Sequence, residues 1–120
     1  MIKDSIKLYL SYELKCVCRA FGVPIPKLIF VEEQTTDEYR PWNHTIALSD
    51  ELFVSHPIDR LCHEIAHAVA NYRYLELRHT REYWQQLHLI ADFTLLDARK
   101  YNWLEEYKCG IMYAKRMNLI

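Results

Sequence analysis

The chain has 120 residues, of which 51% are hydrophobic and 26% are charged, and its 15 basic and 16 acidic side chains give a formal net charge of −1. These values predict one soluble globular domain spanning residues 1–120, with enough apolar side chains for a core. A charge so close to zero argues against a broad basic surface for nucleic acid.

The first ten residues carry Lys3, Asp4 and Lys7, which interrupt the continuous apolar segment that a signal peptide requires. No stretch approaches the roughly 18 consecutive apolar residues of a membrane-spanning helix. We therefore expect a cytoplasmic protein with no membrane partner. In that compartment thiols stay reduced. The expectation applies to all four cysteines: Cys16, Cys18, Cys62 and Cys109.

The N-terminal segment predicts a helix over residues 3–21, because apolar side chains recur there at helical spacing. Gly22 predicts the end of this helix, and Pro24 and Pro26 prevent its continuation. Glu13 falls within the apolar stripe. It can either hold a metal-binding histidine in place or lie at the margin of the stripe with its carboxylate in water, and the second interpretation is preferred.

Two strands are predicted next, over residues 27–33 and 44–49, where apolar and β-branched residues are frequent. Residues 39–42 can add a third, short strand, which Pro41 confines to the edge of a sheet. Residues 49–54 predict a short helical turn, because serine and aspartate are favourable capping residues.

Pro57 suits the first turn of a longer helix that is predicted to end near Tyr72. At 100° per residue its apolar side chains form one stripe toward the core, while His63 and His67 fall on roughly the opposite side. The predicted core stripe consists of Ile58, Leu61, Cys62, Ile65, Val69 and Tyr72.

After a connection over residues 73–79, Thr80 is predicted to cap a helix over residues 81–99. Asn102 and Glu105 resemble a capping box for a last helix. The elements together predict an α+β fold, in which a small two- or three-stranded sheet packs on about four helices. The predicted inner face of the third long helix consists of Tyr83, Leu87, Ile90, Ala91 and Thr94.

Residues 63–67 read His63-Glu64-Ile65-Ala66-His67, the pattern HExxH. Residues four apart on a helix lie on one face, so the two imidazoles can bind one Zn²⁺ and Glu64 can act as a general base. We expect one zinc ion per chain. Catalytic zinc takes three protein ligands and leaves a fourth position for water.

The third ligand can come from Glu76, His79, Glu82, His88 or Asp92. His79 is preferred because it directly precedes a helix and matches the imidazoles of the other two ligands. Glu76 and Glu82 remain the main alternatives.

The other histidines, His44, His56 and His88, are interpreted as packing or surface residues. A second group that stabilises the developing charge on the substrate is also useful in hydrolysis. The sequence does not choose among four candidates for it: Arg81, Tyr83, His44 and Tyr113.

The pentad, followed by His79-Thr80-Arg81-Glu82-Tyr83-Trp84, resembles the SprT-like and YgjP-type zincin metallopeptidases over about residues 43–90. Those families show HExxH, a spacer, and a third histidine followed four or five residues later by an aromatic. This chain has Thr80 where a glycine often follows the third histidine, and it has no C-terminal Cys-rich zinc ribbon. The resemblance implies a compact zincin-like fold with HExxH on its central helix. It also suggests, as an expectation, that the substrates include proteins attached to DNA.

The leading hypothesis is therefore a zinc metallopeptidase that hydrolyses a peptide or protein substrate. The alternative is a non-catalytic zinc-containing module that binds protein or DNA, against which the intact Glu64 argues. The strand over residues 45–49 can lie at a sheet edge and pair with an extended peptide, or it can simply support the core.

Overall fold

The computed structural model describes residues 1–32, 36–51, 57–98, 110 and 112–120, with side chains placed up to residue 94 of the third segment. The protein has an α+β fold, as predicted, with one three-stranded mixed sheet. A short helical segment covers residues 112–116. The longer elements are α1 (Asp4–Phe21), β1 (Lys27–Val31), β2 (Glu38–Arg40), β3 (Thr45–Ser49), α2 (Pro57–Tyr74) and α3 (Arg81–Ala98).

The end of α1 lies where the sequence predicts it. Gly22 adopts the left-handed conformation with φ 67°, which a residue without a β-carbon adopts at little cost. Its N–H donates to the carbonyl of Arg19, and the next N–H, of Val23, donates to the carbonyl of Cys18. This pair of bonds is the Schellman motif, which satisfies carbonyls that the helix itself leaves open.

The sheet has the strand order β1-β3-β2, with β1 parallel and β2 antiparallel to β3. All five residues of β3 are buried, and β3 has a partner strand on both sides. The hypothesis that residues 45–49 form a sheet edge is therefore wrong. The short strand predicted near residues 39–42 is present as β2, directly before Pro41, and it lies at the edge of the sheet that the described residues form.

Helix α2 packs against α1, α3, β2 and β3. The predicted core stripe of α2 is buried except for Tyr72, which is 56% exposed. That part of the prediction is wrong because α2 continues to Tyr74 and its last residues, 72–74, lie at the surface. The inner face of α3 is buried as predicted.

Arg60 joins α2 to the sheet. Its side chain is only 4% exposed, and its guanidinium donates to both carboxylate oxygens of Asp37, at 2.8 and 2.7 Å. It also donates to the carbonyl of Ser49 at 2.7 Å, while the Ser49 N–H donates to Asp37 at 2.8 Å. Paired guanidinium–carboxylate bonds have a fixed geometry. The segment that leads into β2 is thereby held against α2, one turn before His63.

Glu13 is 6% exposed, so the preferred interpretation, a carboxylate in water, is wrong. It lies on the side of α1 that packs toward α2, close enough to Cys62 to act on that thiol electrostatically. Burial raises the pKa of Cys62 to about 12, and the charges of Asp59 and Glu13 add to the rise, while a hydrogen bond with Thr94 opposes it. A thiol with such a pKa stays protonated near neutral pH and is a poor metal ligand.

Several predictions fall on residues outside the described ranges, namely the helical turn through residue 54, His56, the capping box at Asn102 and Glu105, and Cys109. Thr80 directly precedes α3, but its hydroxyl has no hydrogen-bond partner among the described residues, so its predicted role as a side-chain cap is wrong. Within the described residues, no helix combines the length and the apolar character needed to cross a bilayer.

Candidate metal centre

Three histidines converge on one point beside α2. His63 and His67 lie one turn apart on that helix, and His79 lies in the connection just before α3. One ring nitrogen of each lies within 4.8 Å of the others. Among the described histidine, cysteine, aspartate and glutamate residues, no other group of three or more has this geometry. The structure thus brings together the three residues that the sequence selects, close enough to hold a metal ion.

The donor set and its spacing fit a divalent cation. The Nε2 atoms of His67 and His79 are 3.1 Å apart. Two nitrogens at the usual Zn–N distance around a tetrahedral ion are separated by about 3.3 Å. Imidazole nitrogens are typical zinc ligands, and a set of three leaves one coordination position for water or substrate.

The protonation state of His67 favours metal binding. Burial lowers the pKa of His67 to about 3, and the proximity of His63 and His79 lowers it further. An imidazole with this pKa is neutral near pH 7 and therefore has a lone pair to offer to a cation. A protonated imidazole has none.

We predict that the metal-free protein loses stability as the pH falls from about 6.5 toward 3. Because the pKa of His67 is lowered in the folded state, only the unfolded chain takes up this proton in that interval, and protons then favour unfolding. One such group changes the free energy of unfolding by up to about 1.4 kcal/mol per pH unit. Urea denaturation at several pH values measures the slope, with His67→Gln as the comparison. Equal slopes in the two proteins would contradict the prediction.

Tyr83 forms the floor of the histidine cluster. It is fully buried, and its ring centroid lies 4.4 Å from that of His67, 4.6 Å from that of His79 and 5.5 Å from that of His63. Its hydroxyl donates to the backbone carbonyl of His63 at 3.4 Å. The neighbouring Trp84 ring lies 5.9 Å from that of His79. The two aromatics therefore restrict the orientations of the imidazoles.

We predict that Tyr83→Leu weakens zinc binding by about 10- to 100-fold, the usual range when a residue that orients a metal ligand is lost. Tyr83→Phe keeps the ring against all three imidazoles and is expected to change the affinity by less than about threefold. Competition with a chromophoric chelator measures the affinity, and circular dichroism verifies folding. A folded Tyr83→Leu protein with the wild-type affinity would show that the ring does not orient the ligands.

A cavity of about 330 Å³ opens onto the histidines. Glu64 lines it and is itself only 5% exposed. Part of the lining comes from residues that no sequence pattern indicates as site residues. All of them except Leu77, which lies between α2 and α3, are far from the pentad in sequence and reach the site only because β2 pairs with β3 and packs on α2. They are Asp37, Glu38, Tyr39, Pro41 and Leu77.

The alternative third ligands lie elsewhere. Glu76 binds Arg78, with Nε and Oε1 3.1 Å apart, and neither Glu76 nor Glu82 belongs to the histidine group. His88 lies 3.3 Å from its neighbour Asp92 on the next turn of α3, and its side chain is 46% exposed. His79 therefore has the best position for the third ligand.

The candidates for a second charge-stabilising group do not line the cavity. The two ring nitrogens of His44 contact the hydroxyl of Tyr39 and the carbonyl of Pro24, both at 2.8 Å. Arg81 donates to two carbonyls of the C-terminal segment, and Tyr113 is 53% exposed. Tyr39 does line the cavity, and burial raises the pKa of its hydroxyl, which favours the protonated form, although a hydrogen bond with Asn71 opposes this.

Comparisons with protein-family models, with curated proteins and with solved structures find no match for this chain. The fold and the site define an α+β protein whose second long helix carries part of a candidate three-histidine metal centre. The glutamate between two of these histidines in sequence faces the same cavity.

Proposed function

We propose that the protein is a zinc metallopeptidase of the zincin type, similar to the SprT-like and YgjP-type families, and that it hydrolyses peptide bonds. The observation that carries the proposal is the convergence of His63, His67 and His79 at a cavity that Glu64 also lines. A metal site with a purely structural role has no need of a carboxylate at that position. A hydrolytic site needs one as a base.

Zinc is the proposed ion because three neutral imidazoles form a known catalytic zinc set. Structural zinc sites usually have four protein ligands, often including cysteine. Cys62, the cysteine next to His63, is buried in the core and has a raised pKa, so it is a poor candidate for a fourth ligand. The three-histidine set therefore favours a site that stays open to substrate.

When bound, zinc lowers the pKa of water toward about 7 and polarises a carbonyl group. Glu64 then accepts a proton from the attacking water and passes it to the amine that leaves. Its carboxylate is mostly shielded from bulk water, at 5% exposure, which strengthens its electrostatic interaction with a bound substrate. The ring of Tyr83 packs against the three imidazoles and restricts their orientations.

The proposed substrate lies along β2. This strand lines the cavity and, within the described residues, has a partner strand on one side only. An extended peptide can therefore form backbone hydrogen bonds with the unpaired edge of β2. This pairing would bring a peptide bond of the substrate close to Glu64. Tyr39 and Leu77 supply apolar surface beside it.

Metal analysis combined with digestion of a peptide library tests the proposal. We expect about one zinc per chain, cleavage that stops when 1,10-phenanthroline removes the metal, and recovery when zinc returns. Zinc at this stoichiometry without cleavage of any peptide would support the binding module instead. A protein that takes up no zinc would refute both.

A further inference from the structure

A second cavity, of about 560 Å³, lies between the last turn of α2, α3 and the C-terminal segment. It shares no lining residue with the cavity at the histidines. Its volume falls within the range of small-ligand sites, about 300–1,000 Å³. The residues that give it chemical character are Arg73, Tyr74, Gln85, Leu89 and Lys115.

Arg73 is held in a fixed orientation at this cavity. It donates to the Oε1 atom of Gln86 at 2.9 Å and to the backbone carbonyl of Phe21, and its guanidinium carbon lies 5.5 Å from the centroid of the Phe21 ring. A guanidinium has five N–H donors, so these two bonds leave three without a partner in the described part of the chain. An oriented guanidinium with free donors binds a carboxylate at a low entropic cost.

The side chains that line the cavity are positively charged overall. Lys115 is exposed and forms no ion pair with any described residue. None of the eight side chains that line the cavity is acidic, and Arg73 and Lys115 give these side chains a net positive charge. The nearby carboxylate of Asp92 lies against His88. The cavity therefore complements an anionic group.

Apolar side chains lie on both sides of the Arg73 guanidinium. Leu89 is 48% exposed and Tyr74 is 50% exposed, although both are large enough to favour burial. A smaller hollow shares Arg73 and Leu89 with the cavity and adds Phe21 and Phe93. Arg73 thus lies between two apolar hollows, and the amide of Gln85 lies at the margin of the larger one.

We propose that this cavity binds the C-terminal carboxylate of a peptide whose last residue is large and apolar. Arg73 and Lys115 would hold the carboxylate, Leu89 would contact the apolar side chain, and Gln85 would bind a peptide group. A free alkyl carboxylate shares the first two features but has no peptide group for the amide of Gln85. The peptide is therefore the preferred ligand.

Titration of the full-length, zinc-loaded Glu64→Gln protein with N-acetyl-leucyl-phenylalanine tests this proposal, with binding followed by amide chemical shifts. In this variant, cleavage does not interfere with binding. We expect saturable shifts at the amides of Arg73, Gln85 and Leu89. The C-terminally amidated peptide is expected to bind about tenfold more weakly, because it lacks the charge.

Lys115→Glu is expected to weaken binding by at least about tenfold, while the matched control Lys15→Glu, on the exposed face of α1, leaves it within about twofold. Three results would overturn the proposal: no saturable shift up to about 10 mM peptide, equal affinity for the amide, or equal effects of the two lysine variants. A fourth result, octanoate binding as tightly as the peptide, would also overturn it and assign the cavity to a free alkyl carboxylate instead. None of these outcomes depends on whether the histidine site hydrolyses peptides.

Discussion

Glu64→Gln is expected to lower kcat for peptide hydrolysis by about 100- to 10,000-fold, the range associated with loss of a general base. Glutamine has nearly the same shape as glutamate but cannot accept the proton from water. The histidine ligands are unchanged, so zinc should remain bound with nearly the wild-type affinity. Initial rates on a peptide identified from the library, together with metal content, measure the two quantities separately.

Glu82→Gln is the matched control for this change. Glu82 lies in the first turn of α3, outside the histidine group, and its substitution should affect neither the rate nor the metal content. If Glu64→Gln retained full activity, the proposed mechanism would be wrong. If Glu64→Gln lost zinc as well as activity, the carboxylate would have to be assigned a role in holding the metal.

His79→Ala is expected to lower zinc affinity by more than about 100-fold, because the loss of a direct ligand exceeds the 10- to 100-fold effects seen when an outer partner of a ligand is lost. His63 and His67 alone leave two coordination positions to water. Equilibrium dialysis against a zinc buffer measures the affinity. His88→Ala, which removes an exposed imidazole from α3, should leave it unchanged.

Unchanged affinity in His79→Ala would reassign the third ligand. Glu76 and Glu82 would then be the candidates, and Glu76→Gln and Glu82→Gln would show which of them binds the metal. Such an outcome would also require the connection between α2 and α3 to change its conformation, because Glu76 lies against Arg78 in the structure.

The parts of the fold that follow from local signals could be predicted from the sequence. Helix α1 ends where Gly22 and the prolines indicate, because a helix end depends on the conformations of adjacent residues. The buried stripes of α2 and α3 follow from helical spacing. The pair His63 and His67 is equally local, since one helical turn separates them.

The wall of the cavity at the three histidines could not be predicted in the same way. Asp37 meets Arg60 across 23 residues of sequence, and no periodic pattern indicates that pairing. The order of the strands depends on which edges meet in space. For this reason β3, which looked like a possible edge, became the central strand, and β2 became the wall of the cavity. The burial of Glu13 was not predicted, because it depends on the packing of α2 against α1.

The role of His79 could be predicted only in part from the sequence. Its residue type and its place before a helix favour it from the sequence, but the convergence of its ring with two imidazoles on α2 is a property of the folded chain. Tyr83, which contacts all three rings, was recognised from the sequence as a core residue, as an aromatic of the family pattern and as one of several possible donors, but not as a residue that orients the histidines.

The contact between Trp84 and His79 gives the protein an intrinsic optical reporter. Trp84 is 8% exposed and its ring lies 5.9 Å from that of His79, so its fluorescence should respond when an ion fixes that imidazole. Trp42 is 75% exposed and should emit at longer wavelength, as a solvated indole does. Difference emission spectra would then follow metal uptake in real time without any label.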